Sequence, residues 1–264
     1  MSGRRRIATA MAALALALAA PAASAQPPVG IVRPDNEAGL SPKQLGAQLY
    51  AGNCASCHGV DGRGVRPPRP GAGATKGAGP PLRGVGARAA DLYLRAGYMP
   101  LGKPGEAPSR SPPSFNSPET QALIDYIAGL APGPPIPKVA PQQGDIAQGQ
   151  RLFTDHCAGC HQVVAQGGVV TGARVPPLQD ATAVQIAEAV RTGPYVMPRF
   201  SPRQINRREL NSIIAYVLST RHPPDRGGWG IGNIGPVPEG MVTWLLAAVV
   251  LVAVCAIIGK RLRA

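Results

Sequence analysis

The chain of 264 residues contains 33 Gly and 30 Pro, and its 27 basic and 14 acidic residues give a formal charge of +13. That length allows one to three domains, and the Gly and Pro content, near that of a disordered chain, sits mainly in loops between recognisable elements. The charge is of the size found in nucleic-acid binders, but Arg4, Arg5, Arg6, Lys260, Arg261 and Arg263 flank two apolar runs and the other basic residues are scattered rather than striped, which argues against a nucleic-acid partner.

Residues 1–25 read as a secretory signal peptide: Arg4-Arg5-Arg6 is the charged start, Ile7 to Ala20 the apolar stretch, and Ala23-Ser24-Ala25 the cleavage site. The competing reading is a retained anchor helix, and either would send the following chain out of the cytoplasm. Residues 26–40 are Pro-rich and polar, an extended arm. Ser41-Pro42 fits an N-cap followed by Pro at the first helical position, and a helix is expected to run to about Asn53 with Leu45 and Leu49 on one face.

Cys54-Ala55-Ser56-Cys57-His58 follows. Cys-x-x-Cys-His is the attachment signature of c-type haem: the two thiols add to the porphyrin vinyl groups, and the adjacent His reaches the iron as an axial ligand. A Gly-rich loop then leads to Pro80-Pro81-Leu82, expected to pack the haem edge with the Pro81 carbonyl accepting from the His58 ring. A short helix is expected over Ala89 to Arg95, ending at Gly97, with Met99 in the loop beyond. Ser117-Pro118-Glu119 reads as the cap and start of a last helix, whose Tyr126 is expected to meet Tyr50 where it crosses the first. Residues 41–130 thus form one domain, and 131–144 form a Pro-rich, semi-rigid linker.

The same signals recur in residues 145–221. Gly149-x-x-Leu152-Phe153 matches Gly46-x-x-Leu49-Tyr50, Cys157-Ala158-Gly159-Cys160-His161 repeats the attachment motif, and Pro176-Pro177-Leu178, Met197-Pro198 and Tyr216 follow in order. Helices are expected over Ile146 to His156, Ala183 to Arg191 and Arg207 to Thr220. Two haem c are therefore expected, bound through Cys54, Cys57, Cys157 and Cys160. A thioredoxin-like reading of Cys-x-x-Cys lacks a βαβ context. A zinc site would not explain the Met-Pro pairs.

Met is ordinarily core filler. Met99 and Met197, however, are the only Met residues of the haem-domain region and are placed alike in the two repeats. The iron ligands are therefore read as His58 with Met99 and His161 with Met197. A thioether ligand raises the potential and fills the sixth position, so each haem would pass electrons rather than act on a substrate. His156 reads as a packing residue and His222 as a solvated one. Residues 222–240, with Trp229, form a connector. Met241 to Ile258 is an uncharged apolar run, about 27 Å long as a helix and near the low end for a membrane span. Trp244 suits an interfacial anchor, Cys255 reads as a small buried hydrophobe rather than a lipidation site, and the basic tail 259–264 would be cytoplasmic by the positive-inside rule. The fold class expected is mainly α: two tandem cytochrome c domains and one C-terminal transmembrane helix.

The order of these parts, together with Thr192-Gly193-Pro194, Met197-Pro198-Arg199-Phe200 and Gly235-Pro236-x-Pro238-Glu239-Gly240-Met241, resembles the dihaem cytochrome c subunit of actinobacterial-type cytochrome bc complexes (QcrC-like) over nearly the whole chain. The resemblance implies a subunit of a quinol–cytochrome c reductase, fed by menaquinol and partnered by cytochrome b and Rieske iron–sulfur subunits. It implies that one haem receives electrons from the Rieske protein and the other passes them to an aa3-type oxidase, on the extracytoplasmic face of the cell membrane. Two other readings are a dihaem subunit of a cbb3-type oxidase or dehydrogenase and a dihaem peroxidase, the last of which needs an open sixth position.

Overall fold

The computed structural model describes residues 30–66, 79–102, 106–221 and 236–262. The expected signal segment, the middle of the first Gly-rich loop, and His222 and Trp229 of the connector lie outside the described residues. Residues up to Thr220 form one unit and those from Arg221 another.

The first domain comprises α1 (Pro42–Asn53), α2 (Ala55–His58), α3 (Gly86–Arg95) and α4 (Ser117–Gly129). Helix α1 begins as expected, because the Ser41 and Gln44 side chains each bond the other's main-chain amide. Helix α4 is capped one residue earlier than expected. Asn116, not Ser117, accepts from the Glu119 amide while Glu119 accepts from the Asn116 amide. The short Asn side chain with an acid three residues on forms the reciprocal cap, which leaves Ser117 as the first helical residue. Glu119 is fully buried, and its other partner is Arg33 of the arm, at 2.6 Å. Burial alone would raise the Glu119 pKa, but Arg33 and the Asn116 amide outweigh it and hold the carboxyl below its usual range. The arm is therefore part of the domain. Val32 also exchanges two 2.8 Å hydrogen bonds with Asn53 at the end of α1.

The second domain comprises α5 (Ile146–His156), α6 (Ala158–His161), a hairpin of β1 (Gly168–Val170) and β2 (Ala173–Val175), α7 (Ala183–Thr192) and α8 (Arg207–Ser219). The antiparallel hairpin, with Val169 opposite Arg174, has no counterpart among the sequence expectations. Its strands are too short for an alternating pattern, and only Gly172 at φ +82° marks the turn.

Both domains are held by the same crossing of first and last helix. A Cβ on Gly46 would collide with the Ala122 carbonyl of α4, and one on Gly149 with the Ser212 carbonyl of α8. One turn further along each pair, aromatic rings meet: Tyr50 with Tyr126 at 5.0 Å and Phe153 with Tyr216 at 5.4 Å. The expected Tyr50–Tyr126 contact is therefore present. Each crossing is the centre of its own core, with Leu45, Leu49, Leu123, Ile124 and Ile127 in the first domain and Ile186, Val190, Leu210, Ile213, Ile214 and Val217 in the second.

The linker is more than a stiff spacer. The Pro134 carbonyl accepts from the Arg88 amide of α3, and the Ala140 amide donates to Asn211 of α8, so the linker is bonded to both domains. Helix α3 begins at Gly86 rather than Ala89 because Gly86, at φ +70°, lies flat against Pro134. The domains also touch directly through α3 and α7. Glu188 of α7 is fully buried there, with no hydrogen-bond partner for either carboxylate oxygen among the described residues. Burial first, and then the facing Asp91, push its carboxyl up to about 9, against the opposing pull of Arg95 and Arg88.

In the second unit, α9 (Pro236–Arg261) exposes apolar side chains along its length, including Trp244, Leu251 and Ile257. Its Gly240–Arg261 stretch is long and apolar enough to cross a membrane. Cys255 is exposed on this surface rather than buried as expected, because the helix packs against no other element among the described residues.

Gly149→Ala forces α5 and α8 apart and lowers stability by about 1–3 kcal/mol, as overpacking does, read as a fall in Tm. Glu188 binds its proton more tightly folded than unfolded, so its contribution is complete below about 4.5, the ordinary value, and is lost as the pH rises through about 9. Wild-type Tm should therefore fall across that window and that of Glu188→Gln should be flatter. Equal slopes would show that Glu188 is ionised in the folded protein.

Candidate functional site

The attachment motif is shaped by a backbone break at its first cysteine. Cys54 and Cys157 end α1 and α5, their backbone N–H groups donating to the Tyr50 and Phe153 carbonyls, and each sits at nearly the same φ and ψ (−121°, −37° and −126°, −35°). Each then opens a one-turn helix by accepting from the second Cys and from the His: Cys57 at 3.1 Å and His58 at 2.9 Å, with Cys160 and His161 at the same distances. One turn therefore presents two sulfurs and an imidazole together.

The imidazoles are fixed by a carbonyl, though not the expected one. His58 Nδ1 lies 2.7 Å from the carbonyl of Pro80, not Pro81, and His161 Nδ1 lies 3.3 Å from that of Pro176. Gly79 rests against the Cys57 carbonyl, where a Cβ would not fit, so the next carbonyl along, that of Pro80, faces the ring. A carbonyl can only accept, so Nδ1 carries the proton and Nε2 is left with its lone pair for a metal. Both rings are buried, and burial lowers the His161 pKa against the pull of the Pro176 carbonyl. That favours the neutral ring.

The turn after each motif is pinned by a tyrosine hydroxyl, and here the repeats differ. In the first domain the Tyr50 hydroxyl of α1 donates to the Gly59 carbonyl at 2.7 Å. In the second, where Phe153 occupies that place, Tyr216 of α8 donates to the Val163 carbonyl at 2.7 Å. The same job is done from the opposite helix. From the sequence, Tyr50 is expected only in aromatic contact with Tyr126, and Tyr216 is only a recurring signal of the repeat. The exchange of Tyr for Phe between repeats was the signal for the hydroxyl's part.

Each site has the chemistry to take a haem. In the second domain an apolar cavity is lined by Cys157, Cys160, His161, Phe153, Leu178 and Met197, and by no Asp or Glu among the described residues. In the first, Cys54, Leu82 and Met99 pack against one core. Burial pushes the Cys54 thiol up to about 12 and the Cys157 thiol up to about 11, with the neighbouring Cys adding to each. A buried thiolate is costly, whereas a thioether has no proton to lose and suits the apolar setting. Met197 is carried on the loop after α7, whose end is turned by Gly193 in the left-handed region and tied by bonds from the Met197 amide to the Pro194 carbonyl and from the Phe200 amide to the Val190 carbonyl. His156 stacks edge-on against Phe200 at 5.9 Å, a packing role as expected. No group of three or more His, Cys, Asp or Glu among the described residues is disposed to hold a metal ion, which gives the zinc reading no support.

The fold and sites define a membrane-anchored cytochrome with two c-type domains and two covalently bound haem c. Residues 44–131 match the family described as cytochrome c, and residues 144–217 match that described as cytochrome c oxidase, cbb3-type, subunit III. The cytochrome bc1 complex cytochrome c subunit of Corynebacterium diphtheriae is 34% identical, over 95% of this chain and 94% of its own. That of Mycobacterium leprae is 33% identical over 89% and 80%. The cbb3-type cytochrome c oxidase subunit CcoP of an Azospirillum strain is 26% identical over 65% and 60%. The chain belongs to the family of cytochrome c subunits of cytochrome bc1 complexes.

Replacing Tyr216 by Phe removes the bond to the Val163 carbonyl while keeping the ring. It should cost about 1 kcal/mol of stability, measured as a lowered Tm, with both haems still attached. An unchanged Tm would remove the hydroxyl from any part in holding the turn.

Proposed function

We propose that this chain is the electron-relaying subunit of a quinol–cytochrome c reductase, taking single electrons from a Rieske iron–sulfur subunit and passing them to an aa3-type oxidase. His58 with Met99, and His161 with Met197, are the axial ligand pairs. The observation that carries this reading is the meeting of Met197 with Cys157, Cys160 and His161 in one cavity, repeated by the packing of Met99 and Cys54 on one core.

The haem supplies reversible one-electron chemistry at its iron when bound. The chain's own part is to hold it. The Pro80 and Pro176 carbonyls orient His58 and His161, the apolar walls keep water out, and a thioether at the sixth position leaves no site for oxygen or peroxide. The peroxidase reading is disfavoured on that ground. The oxidase-subunit reading draws on the match of residues 144–217 and on the Azospirillum relative, but the bc1 relatives cover far more of the chain at higher identity. By family likeness the partners are a cytochrome b and a Rieske subunit. Lys260, Arg261 and Arg263 after the span support a cytoplasmic C-terminus. That leaves the haem domains on the extracytoplasmic face, delivered there by residues 1–25 acting as a signal peptide. The domains proper are taken as residues 41–130 and 145–221, joined by the 131–144 linker.

Met197→Ala in the full chain should lower the potential of one haem and let its reduced form bind carbon monoxide, and Met99→Ala should do the same to the other. Unchanged spectra and potentials in both variants would refute the ligand assignment.

A further inference from the structure

The cavity of the second domain is not closed by that domain alone. Tyr98, Pro108 and Arg110, all from the first domain, form part of its wall. Tyr98 immediately precedes Met99, which packs on the core of the first domain, so two consecutive residues touch both sites.

This contact is built rather than incidental. The amides of Tyr98 and Met99 both donate to the Tyr93 carbonyl of α3, at 2.9 and 3.1 Å. Ser111 bonds back to the same turn, its amide to the Ala96 carbonyl at 3.2 Å and its hydroxyl to the Gly97 carbonyl at 2.7 Å. Gly97 lies at φ +67° against Ser111, where no side chain would fit. The segment carrying Arg110 is thereby fastened beside the one carrying Tyr98. Across the domain boundary, Arg110 Nη2 donates to the Asp180 carbonyl at 2.7 Å. The ring of Tyr93 meets that of Tyr98 edge-on at 5.9 Å.

Charge gives the contact a meaning. A haem brings two carboxylates. Among the described residues, the cavity wall offers two arginines, Arg174 from its own hairpin and Arg110 from the neighbouring domain, and no carboxylate to compete with them. A guanidinium has five donors. The bond to Asp180 occupies one, and the planar fork suits a carboxylate.

From this we infer that the first domain completes the haem site of the second, with Arg110 supplying a cation for a haem carboxylate and Tyr98 sealing the cavity beside it. The potential of the second haem then depends on the two domains being docked, because a neighbouring cation favours the reduced, less positive iron. Arg110 is a positioning and tuning residue, not an iron ligand. The inference rests on a haem occupying the cavity, not on Met197 being its ligand.

The test is an optical redox titration of the full-length dihaem protein carrying Arg110→Gln, with Arg110→Lys beside it. The haems are assigned by Cys54→Ala with Cys57→Ala and by Cys157→Ala with Cys160→Ala, each pair of which should leave only the other domain's covalent haem and its potential. In Arg110→Gln the reduced-to-oxidised ratio of the second haem at a fixed ambient potential should fall several-fold while the first stays in place. The difference from wild type should narrow as salt screens the charge. In Arg110→Lys the shift should be in the same direction but smaller. Both potentials unmoved in Arg110→Gln, or equal movement of both, would overturn the inference. So would a full-sized shift in the Lys variant, because charge would then not be the cause. Should the Gln protein fail to accumulate, Arg110→Ala takes its place, with the same fall expected at the second haem and the same results overturning the inference. If the Cys157 and Cys160 variant keeps both haems, no haem occupies the cavity and the haem assignment fails, a result distinct from an unmoved potential in Arg110→Gln.

Discussion

Two glycines touching two carbonyls set the geometry on which both domains depend. Gly46 against Ala122 and Gly149 against Ser212 bring the first and last helices of each domain to backbone contact. Residues four positions further along the same faces are then forced together as the aromatic pairs Tyr50–Tyr126 and Phe153–Tyr216. With the first helix pinned at that depth, its end at Cys54 or Cys157 falls at the edge of the core. The one-turn helix that follows carries His58 or His161 inward, where both rings are buried. Any side chain at the glycine would lift the first helix and carry the attachment motif with it.

The repeat keeps this scaffold and varies what surrounds it. The hydroxyl that pins the turn after the motif comes from α1 in the first domain and from α8 in the second, so the requirement is for the bond rather than for a particular residue. The first domain recruits the arm through Arg33 and Val32, whereas the second adds a hairpin. The docked surface between them buries Glu188 beside Asp91, a like-charge pair that Arg95 and Arg88 offset only in part, and it is held by the linker bonds to both domains and by the Arg110 bond to the Asp180 carbonyl.

Much of this was legible in the chain. Covalent attachment of a haem demands Cys-x-x-Cys-His at fixed spacing, and the crossing left a repeated glycine with an aromatic residue four positions on, a visible pattern whose backbone contact only the structure shows. The span and the two Met-Pro pairs were visible for similar reasons. The misses were longer in range. Pro80 rather than Pro81 faces His58 because Gly79 seats itself on Cys57, a contact set by the fold of the whole loop. Asn116 displaced Ser117 as the cap because its side chain, with Glu119, can close both halves of the box. Arg110 and Tyr98 carry no local mark at all. Their place beside the second cavity exists only once α3 and α7 have met.

The most direct test of the central claim, one covalent haem seated by each glycine-closed crossing, is the mass of the intact purified polypeptide under denaturing conditions. Two haem groups should remain attached to every chain, one on the peptide containing Cys54 and Cys57 and one on that containing Cys157 and Cys160. A chain bearing one haem or none, with the remaining cysteines free, would contradict it.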